Sequence, residues 1–274
     1  MDFHLQQLEQ KSIYILREAK AKFKNPAVLW SMGKDSTCML HLCQRAFFGK
    51  IPFPVINLDS GHDFDETYQF RDKLAKEWNL NLLIGRVNPE ADKISGTTEG
   101  LNKAEALKKL LDEKKFDALI VSIRRDEHGI RAKERYFSPR NKDFKWNFAN
   151  QPPEIFNYIS DFDDASHVRI HPLLHWTELD VWMYTKEKDF PVNPLYFAKN
   201  GKRYRSLGYK EVTKPVDSKA VTLDEIIEEL KTTQVAERSG RDMDKEKEYV
   251  MQRLRELGYM IIPLAIFNVI NFFV

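Results

Sequence analysis

Cysteine is nearly missing from this 274-residue chain, which has only Cys38 and Cys43. Five residues apart on a predicted helix, they point about 140° apart around the axis. That spacing excludes a disulfide framework and a zinc knuckle. A surplus of one charge is missing too. The 43 basic residues face 41 acidic ones, a formal charge of +2, so no global basic surface calls for a nucleic acid and only a local anion site remains open. The chain opens without a basic-then-apolar leader, which with the sparse cysteine predicts a reducing, cytoplasmic setting. No apolar run reaches the length of a comfortable membrane span. Residues 260–274 come nearest; they are uncharged and are interrupted by Pro263, Asn268 and Asn271. No membrane association is expected, and this tail reads as a buried docking strand or helix, or as a terminus altered by a change of reading frame. Internal repeats and low-complexity tracts are absent as well.

What is present is enough apolar material, 42% of residues with 12% aromatic, to bury a full core, most naturally as one large domain with an appendage. Leu5, Leu8, Ile15 and Ala19 mark an amphipathic helix that Asn25-Pro26 ends. Short apolar runs follow at Ala27 to Ser31, Pro54 to Leu58, Asn81 to Val87 and Asp117 to Ser122. Helical patterns separate them, over Asp35 to Phe48, Asp63 to Trp78 and Leu101 to Lys115. This alternation predicts an α/β fold, a parallel sheet covered by helices. A further strand, Val168 to His171, precedes a helix opened by Thr177 and Asp180 at capping-box spacing. The stretch from Phe137 to Ser166 is rich in Pro, Asn and aromatics, shows no period, and reads as a long functional or mobile loop. Thr222 to Leu257 reads as two charged helical segments joined near Arg238-Ser239-Gly240-Arg241.

The loop Ser31-Met32-Gly33-Lys34-Asp35-Ser36 follows a strand and opens a helix, so its N–H groups face one anion-sized space. Gly33 admits phosphate oxygens without a Cβ in the way. Lys34 adds a point charge, and Ser31 and Ser36 add hydroxyl donors. Asp35 needs a purpose beside phosphate, either to hold magnesium or to cap the helix. A Walker A loop would need Gly at Val28 and Ser or Thr at Asp35, so this is a different cradle. A bare helix cap by Ser31 or Asp35 is the alternative.

A second cluster, Arg124, Arg125, Asp126 and Glu127, then Arg131, Lys133, Glu134 and Arg135, stands at the end of a predicted central strand. Ligands of open parallel sheets bind at that edge, and Arg forks suit tetrahedral oxyanions. The alternative is a solvated helix face with ion pairs such as Glu127 to Arg131. Asp59 and Gly61 end another strand, where Asp59 either binds ribose or a metal or forms a turn. His167, His171 and His175 resemble a metal set, but Pro172 breaks their register and a structural role is expected. Phe144-Lys145-Trp146 suits base stacking or, more commonly, the anchoring of a loop on the core.

The pattern S-x-G-K-D-S resembles the pyrophosphate loop of the N-type ATP pyrophosphatase superfamily, with Met32 in place of a glycine. Several other stretches extend the likeness: Ser31 to Leu42, Leu58 to Gly61, Arg124 to Arg135, His171-Pro172-Leu173 with Trp176-Thr177-Glu178, and Thr222 to Arg241. Together they resemble the small catalytic subunit of bacterial-type sulfate adenylyltransferase. The resemblance implies an adenine nucleotide alpha-hydrolase-like (PP-loop), doubly wound parallel sheet over residues 1–215. A helical extension over 216–259 would close the site or meet a partner, and the 260–274 tail has no counterpart. It further implies that sulfate attacks the α phosphorus of ATP with Mg2+, giving adenylyl sulfate and pyrophosphate, and that a GTPase large subunit, using GTP, is the partner. In this reading Lys34 neutralises the leaving pyrophosphate, and Arg124 and Arg125 hold sulfate or the α phosphate. Ser31, Gly33, Asp35, Ser36, Asp59, Gly61, Arg131, Arg238 and Arg241 bind nucleotide, and Asp35 with Asp126 would hold magnesium. Arg238 and Arg241 lie in a segment like the S-E-R-x-G-R motif of those proteins, with Ala236 replacing the serine. Departures occur around Gly208, where many relatives carry a cysteine after the glycine. Phosphoadenylyl sulfate reductase and tRNA-thiolating enzymes are the enzymatic rivals. The first needs a late nucleophilic cysteine, and none follows Cys43. A non-catalytic ATP-binding regulatory subunit is the rival of another class.

Overall fold

The computed structural model describes residues 2–87, 99–127, 131, 133–147, 151, 162, 165–211, 213–233 and 237, with the backbone alone at 99–102. Arg238, Arg241, the second charged helical segment and the 260–274 tail lie outside the described residues. In chain order the elements begin with α1 (Phe3–Lys22), β1 (Pro26–Leu29), α2 (Lys34–Ala46), β2 (Val55–Asp59), α3 (Asp65–Glu77) and β3 (Leu82–Arg86). Then come α4 (Glu99–Lys114), β4 (Ala118–Ile120), β5 (Phe137–Arg140), β6 (His167–Ile170) and α5 (Glu178–Lys188). A small hairpin of β7 (Lys202–Arg203) and β8 (Val216–Asp217) and helix α6 (Leu223–Thr232) follow.

The main sheet has the order β3-β2-β1-β4-β6-β5. Its first five strands are parallel, with Val28 beside Val55 on one side and Ile120 on the other. Chain order reverses between β1 and β4, and that switch point is where an open α/β sheet leaves a crevice. The sheet departs from the expectation at its edge. Phe137 to Arg140, read as the start of a loop, forms β5, antiparallel to β6 with Phe137 opposite Ile170. A four-residue strand containing Pro139 has too little period to be seen in sequence, and Pro is tolerated on an edge.

Strands β1, β2, β4 and β6 bury both faces. One face packs Val28, Val55, Ile120 and Ile170 against Leu16 of α1 and Met39 of α2. The other packs Ala27, Ile56 and Leu119 against Leu107 and Leu111 of α4. Phe144 and Trp146 are buried as loop anchors. Helix α6 docks Ile226 and Ile227 onto Trp182 of α5 and Tyr196. Among the described residues no helix is long and apolar enough to cross a membrane.

Candidate active site

Two strand ends flank the switch point, and each delivers one cation. At the end of β1 the chain turns through Ser31 and Met32 into α2. Met32 holds a left-handed φ of 58°, and its buried thioether accepts a hydrogen bond from Asn57 Nδ2 at 2.9 Å. Glycine adopts that backbone more easily; here the buried side chain and its polar contact offset the conformational cost. Ser36 Oγ donates to the Gly33 carbonyl at 3.1 Å and lies 3.1 Å from Ser31 Oγ, closing the loop on itself. The N-cap of α2 is Gly33, and no side chain caps it. A pure capping role for Ser31 or Asp35 is therefore not what the structure holds. A Cβ on Gly33 would meet Tyr196 Oη at 3.3 Å and Ser31 Oγ at 3.5 Å, so a side chain there would crowd the cradle. Tyr196 accepts from the Lys34 N–H at 2.9 Å.

The second cation comes from beyond β4. Arg124 is fully buried and donates to three carboxylates: Asp35, Asp126 at 2.9 Å, and Glu237. Lys34, 2% exposed, pairs with the other oxygen of Glu237. Its Nζ also lies 3.5 Å from Asp35 Oδ2 and 4.0 Å from Glu178 Oε1. Arg205 forks onto Glu178, with Nη2 to Oε2 at 2.8 Å, and completes the ring of charges. Burial opposes the charge on Arg124, but Glu237, Asp126 and Glu178 outweigh it and raise its pKa. Burial likewise favours a neutral Glu237, yet Lys34 and Arg124 hold its carboxyl down to about 2. Both are therefore ionised at neutral pH.

Lys34, Arg124 and Asp35 meet in one space, beside Ser31, Gly33 and Ser36. Arg125 does not join them. Its Nη1 faces His175 Nε2, and its Nη2 donates to the Glu134 carbonyl at 2.9 Å. Asp126 spends both oxygens on protein groups, one on Arg124 and the other on the Glu178 N–H at 2.8 Å. Asp35 is thus the better placed of the two expected magnesium ligands. Arg131 pairs with Glu127, the ion pair that the alternative reading expects. Asp59 forms a turn: it accepts from the Gly61 N–H at 2.9 Å, from Tyr68 at 3.0 Å and from Arg71 at 3.0 Å, and Gly61 takes a φ of 76°.

The three histidines of the suspected metal set go separate ways. His171 donates through Nδ1 to the Arg135 carbonyl at 2.6 Å, and His175 meets Tyr136 and Arg125. Burial lowers the pKa of His171 and His175 to about 4. Among the described residues no group of three or more His, Cys, Asp or Glu is placed to hold a metal ion. Cys38 and Cys43 are buried in α2, and burial raises both thiols, which makes them poor nucleophiles. Tyr196 and Arg205 carried no signal in the sequence, and Glu178 and Glu237 lie in stretches that carry the family resemblance but were assigned no role there.

A mostly parallel sheet with a glycine-containing anion cradle at its switch point defines an α/β nucleotide-binding protein of the PP-loop type. Residues 25–215 match the family model of the phosphoadenosine phosphosulfate reductase domain. Sulfate adenylyltransferase subunit 2 of Zymomonas mobilis is 40% identical, over 93% of this chain and 97% of that protein. The same subunit of Proteus mirabilis is 39% identical, over 93% and 97%. The chain belongs to the sulfate adenylyltransferase subunit 2 family, within the phosphoadenosine phosphosulfate reductase domain family. Among solved structures, phosphoadenylyl-sulfate reductase from Candida auris superposes with a TM-score of 0.53 at 19% identity, over 79% of this chain and 98% of that one. Candida glabrata FMN adenylyltransferase with FAD and inorganic pyrophosphate gives 0.58 at 18%, over 77% and 67%. At such identities these two likenesses speak for the fold.

Proposed function

We propose that the chain is the catalytic small subunit of a sulfate adenylyltransferase, transferring AMP from ATP to sulfate with release of pyrophosphate. The observation that carries the reading is the convergence of two buried cations, Lys34 and Arg124, on the two oxygens of one carboxylate, Glu237, beside the N-terminus of α2. Family membership supports the reaction, and the geometry supports the roles given to the residues.

Sulfate is a weak nucleophile, so rate must come from position and charge neutralisation rather than from a strong base. Lys34 and the N-terminus of α2 take the leaving pyrophosphate, with Ser31, Gly33 and Ser36 shaping the cradle. Arg124 holds the α phosphate. Arg125 has no carboxylate partner among the described residues, so its charge is available for sulfate. Asp59 and Gly61 border the nucleotide through their turn, and Arg131, Arg238 and Arg241 remain proposed nucleotide ligands. Asp35 is the carboxylate that would hold magnesium brought with ATP, which would supply charge neutralisation of the phosphates. Residues 216–259 close the site or meet the partner, which we take to be a GTPase large subunit in the cytoplasm.

The phosphoadenylyl sulfate reductase reading is disfavoured because both cysteines are buried and no cysteine follows Cys43. Pyrophosphate release measured with ATP and sulfate, with and without the GTPase partner and GTP, tests the assignment. Sulfate-dependent release that rises with GTP hydrolysis is expected; turnover indifferent to sulfate but dependent on tRNA would sink it.

A further inference from the structure

Glu237 occupies the place that an oxyanion would take. Its side chain is only 6% exposed, and its two oxygens reach two different cations. One goes to Lys34, 203 residues away in sequence, and the other to Arg124, 113 residues away. A carboxylate shared in this way presents two oxygens to two donors, as one edge of a phosphate does. Counting charges around the cradle sharpens the point. Among the described residues Lys34, Arg124 and Arg205 face Asp35, Asp126, Glu178 and Glu237. With Glu237 in place, four negative groups surround three positive ones. A polyphosphate approaching that cluster meets net negative charge and finds its two best donors taken. Without Glu237 the count is even, and both donors lose their shared partner.

We propose that Glu237 is an internal competitor for the oxyanion site, and that phosphate groups bind Lys34 and Arg124 only once the Glu237 carboxylate has left them. The proposal rests on reading Lys34 and Arg124 as oxyanion ligands. Lys34 and Arg124 keep Glu237 ionised throughout the neutral range, so protonation does not clear the site and a ligand has to displace the carboxylate. The apparent affinity for any anion is then its intrinsic affinity reduced by the fraction of molecules whose cations are free. A lone divalent anion such as sulfate has less charge with which to compete than a polyphosphate. Glu237 would thus keep sulfate from occupying the pair ahead of nucleotide.

The test is calorimetric titration of inorganic pyrophosphate, and separately of inorganic sulfate, into the full chain and into the Glu237→Gln, Glu237→Asp and Lys34→Ala variants. Glu237→Gln removes the charge but keeps the shape, and should bind pyrophosphate ~10-fold tighter than the wild type. Sulfate should gain by at least the same factor. Glu237→Asp keeps the charge on a shorter arm that cannot reach both donors, and should gain ~3-fold. Lys34→Ala should bind more weakly than the wild type. Pyrophosphate binding by Glu237→Gln that is unchanged or weaker, with Lys34→Ala still impaired, overturns the competition and leaves the oxyanion site standing. Equal binding by Lys34→Ala and wild type, or no binding by any form, overturns the site itself. If Glu237→Gln fails to fold by circular dichroism, the aspartate variant decides, and unchanged or weaker binding there is fatal.

Discussion

Two helix N-termini meet at the active edge of the sheet, and they are finished in opposite ways. Helix α5 is closed by its own sequence. Thr177 and Asp180 form a complete capping box, and the Asp126 carboxylate takes the Glu178 N–H at 2.8 Å. Helix α2 has the N-cap Gly33, which offers no side chain of its own; its first residue is the buried Lys34, and that N–H donates to the neutral hydroxyl of Tyr196 at 2.9 Å rather than to a carboxylate. A helix N-terminus carries roughly half a unit of positive charge. At α5 the protein spends that charge on its own carboxylates and gains rigidity. At α2 it leaves the charge beside Lys34 and Arg124, where an oxyanion can use it. The same local physics serves stability at one end and binding at the other, and the side chain placed at the cap decides which.

Changes at the open end should have the largest effects. Lys34→Ala should lower adenylyl transfer by ~100-fold or more, the scale of losing one charged donor in a closed site, with the far-ultraviolet circular dichroism unchanged. Activity like the wild type's in that variant would refute the cradle. Arg124→Met should abolish activity too, and it should also destabilise by about 3 to 5 kcal/mol because it strands carboxylates that were paired with a buried cation. Denaturant midpoints measure that loss; a stability change near zero would mean that the charge ring is ornamental.

The segment leading into α5 provides the next test. Burial depresses His171 and His175 to about 4 from an ordinary 6.5. The unfolded chain therefore binds protons that the native state refuses. Their contribution is complete above about pH 6.5 and is lost as pH falls toward 4. A midpoint that falls over that range, and a shallower fall in His171→Gln, is the expected outcome. Arg125→Ala separates neighbouring arginines. It should raise the KM for sulfate several-fold with little loss of stability, whereas an unchanged KM assigns sulfate elsewhere. At the closed end, Thr177→Ala should cost about 1 kcal/mol, the usual value of a lost cap, and leave the affinity for pyrophosphate alone. If that affinity fell as far as in Lys34→Ala, the two termini would not be the separate devices described here.

Much of this could be read in the chain before any coordinates. The strand, loop and helix around Ser31 to Ser36 came from local signals, as did the five strands that prove parallel and the Thr177 cap, because each is governed by neighbours a few residues apart. Strand β5 was not legible: Phe137-Ser138-Pro139-Arg140 has no period of its own and becomes a strand only because β6 lies beside it. Arg124 and Arg125 looked equivalent in sequence. One step along the backbone turns them to opposite sides, which sends one into the cradle and the other toward His175. Tyr196 and Arg205 gave no signal, since nothing near them in sequence resembles a binding motif.

The sequence by itself determined the parallel part of the sheet, the strand, loop and helix around Ser31 to Ser36, and the family, because hydrophobic period, glycine placement and strand-end residues are local properties. Only the tertiary structure decided which charges share the cradle. Lys34, Arg124 and Glu237 are separated by tens to hundreds of residues, and their meeting depends on strands β1 and β4 lying side by side. Electrostatic partnership is set by distance in space, and sequence carries no direct record of it.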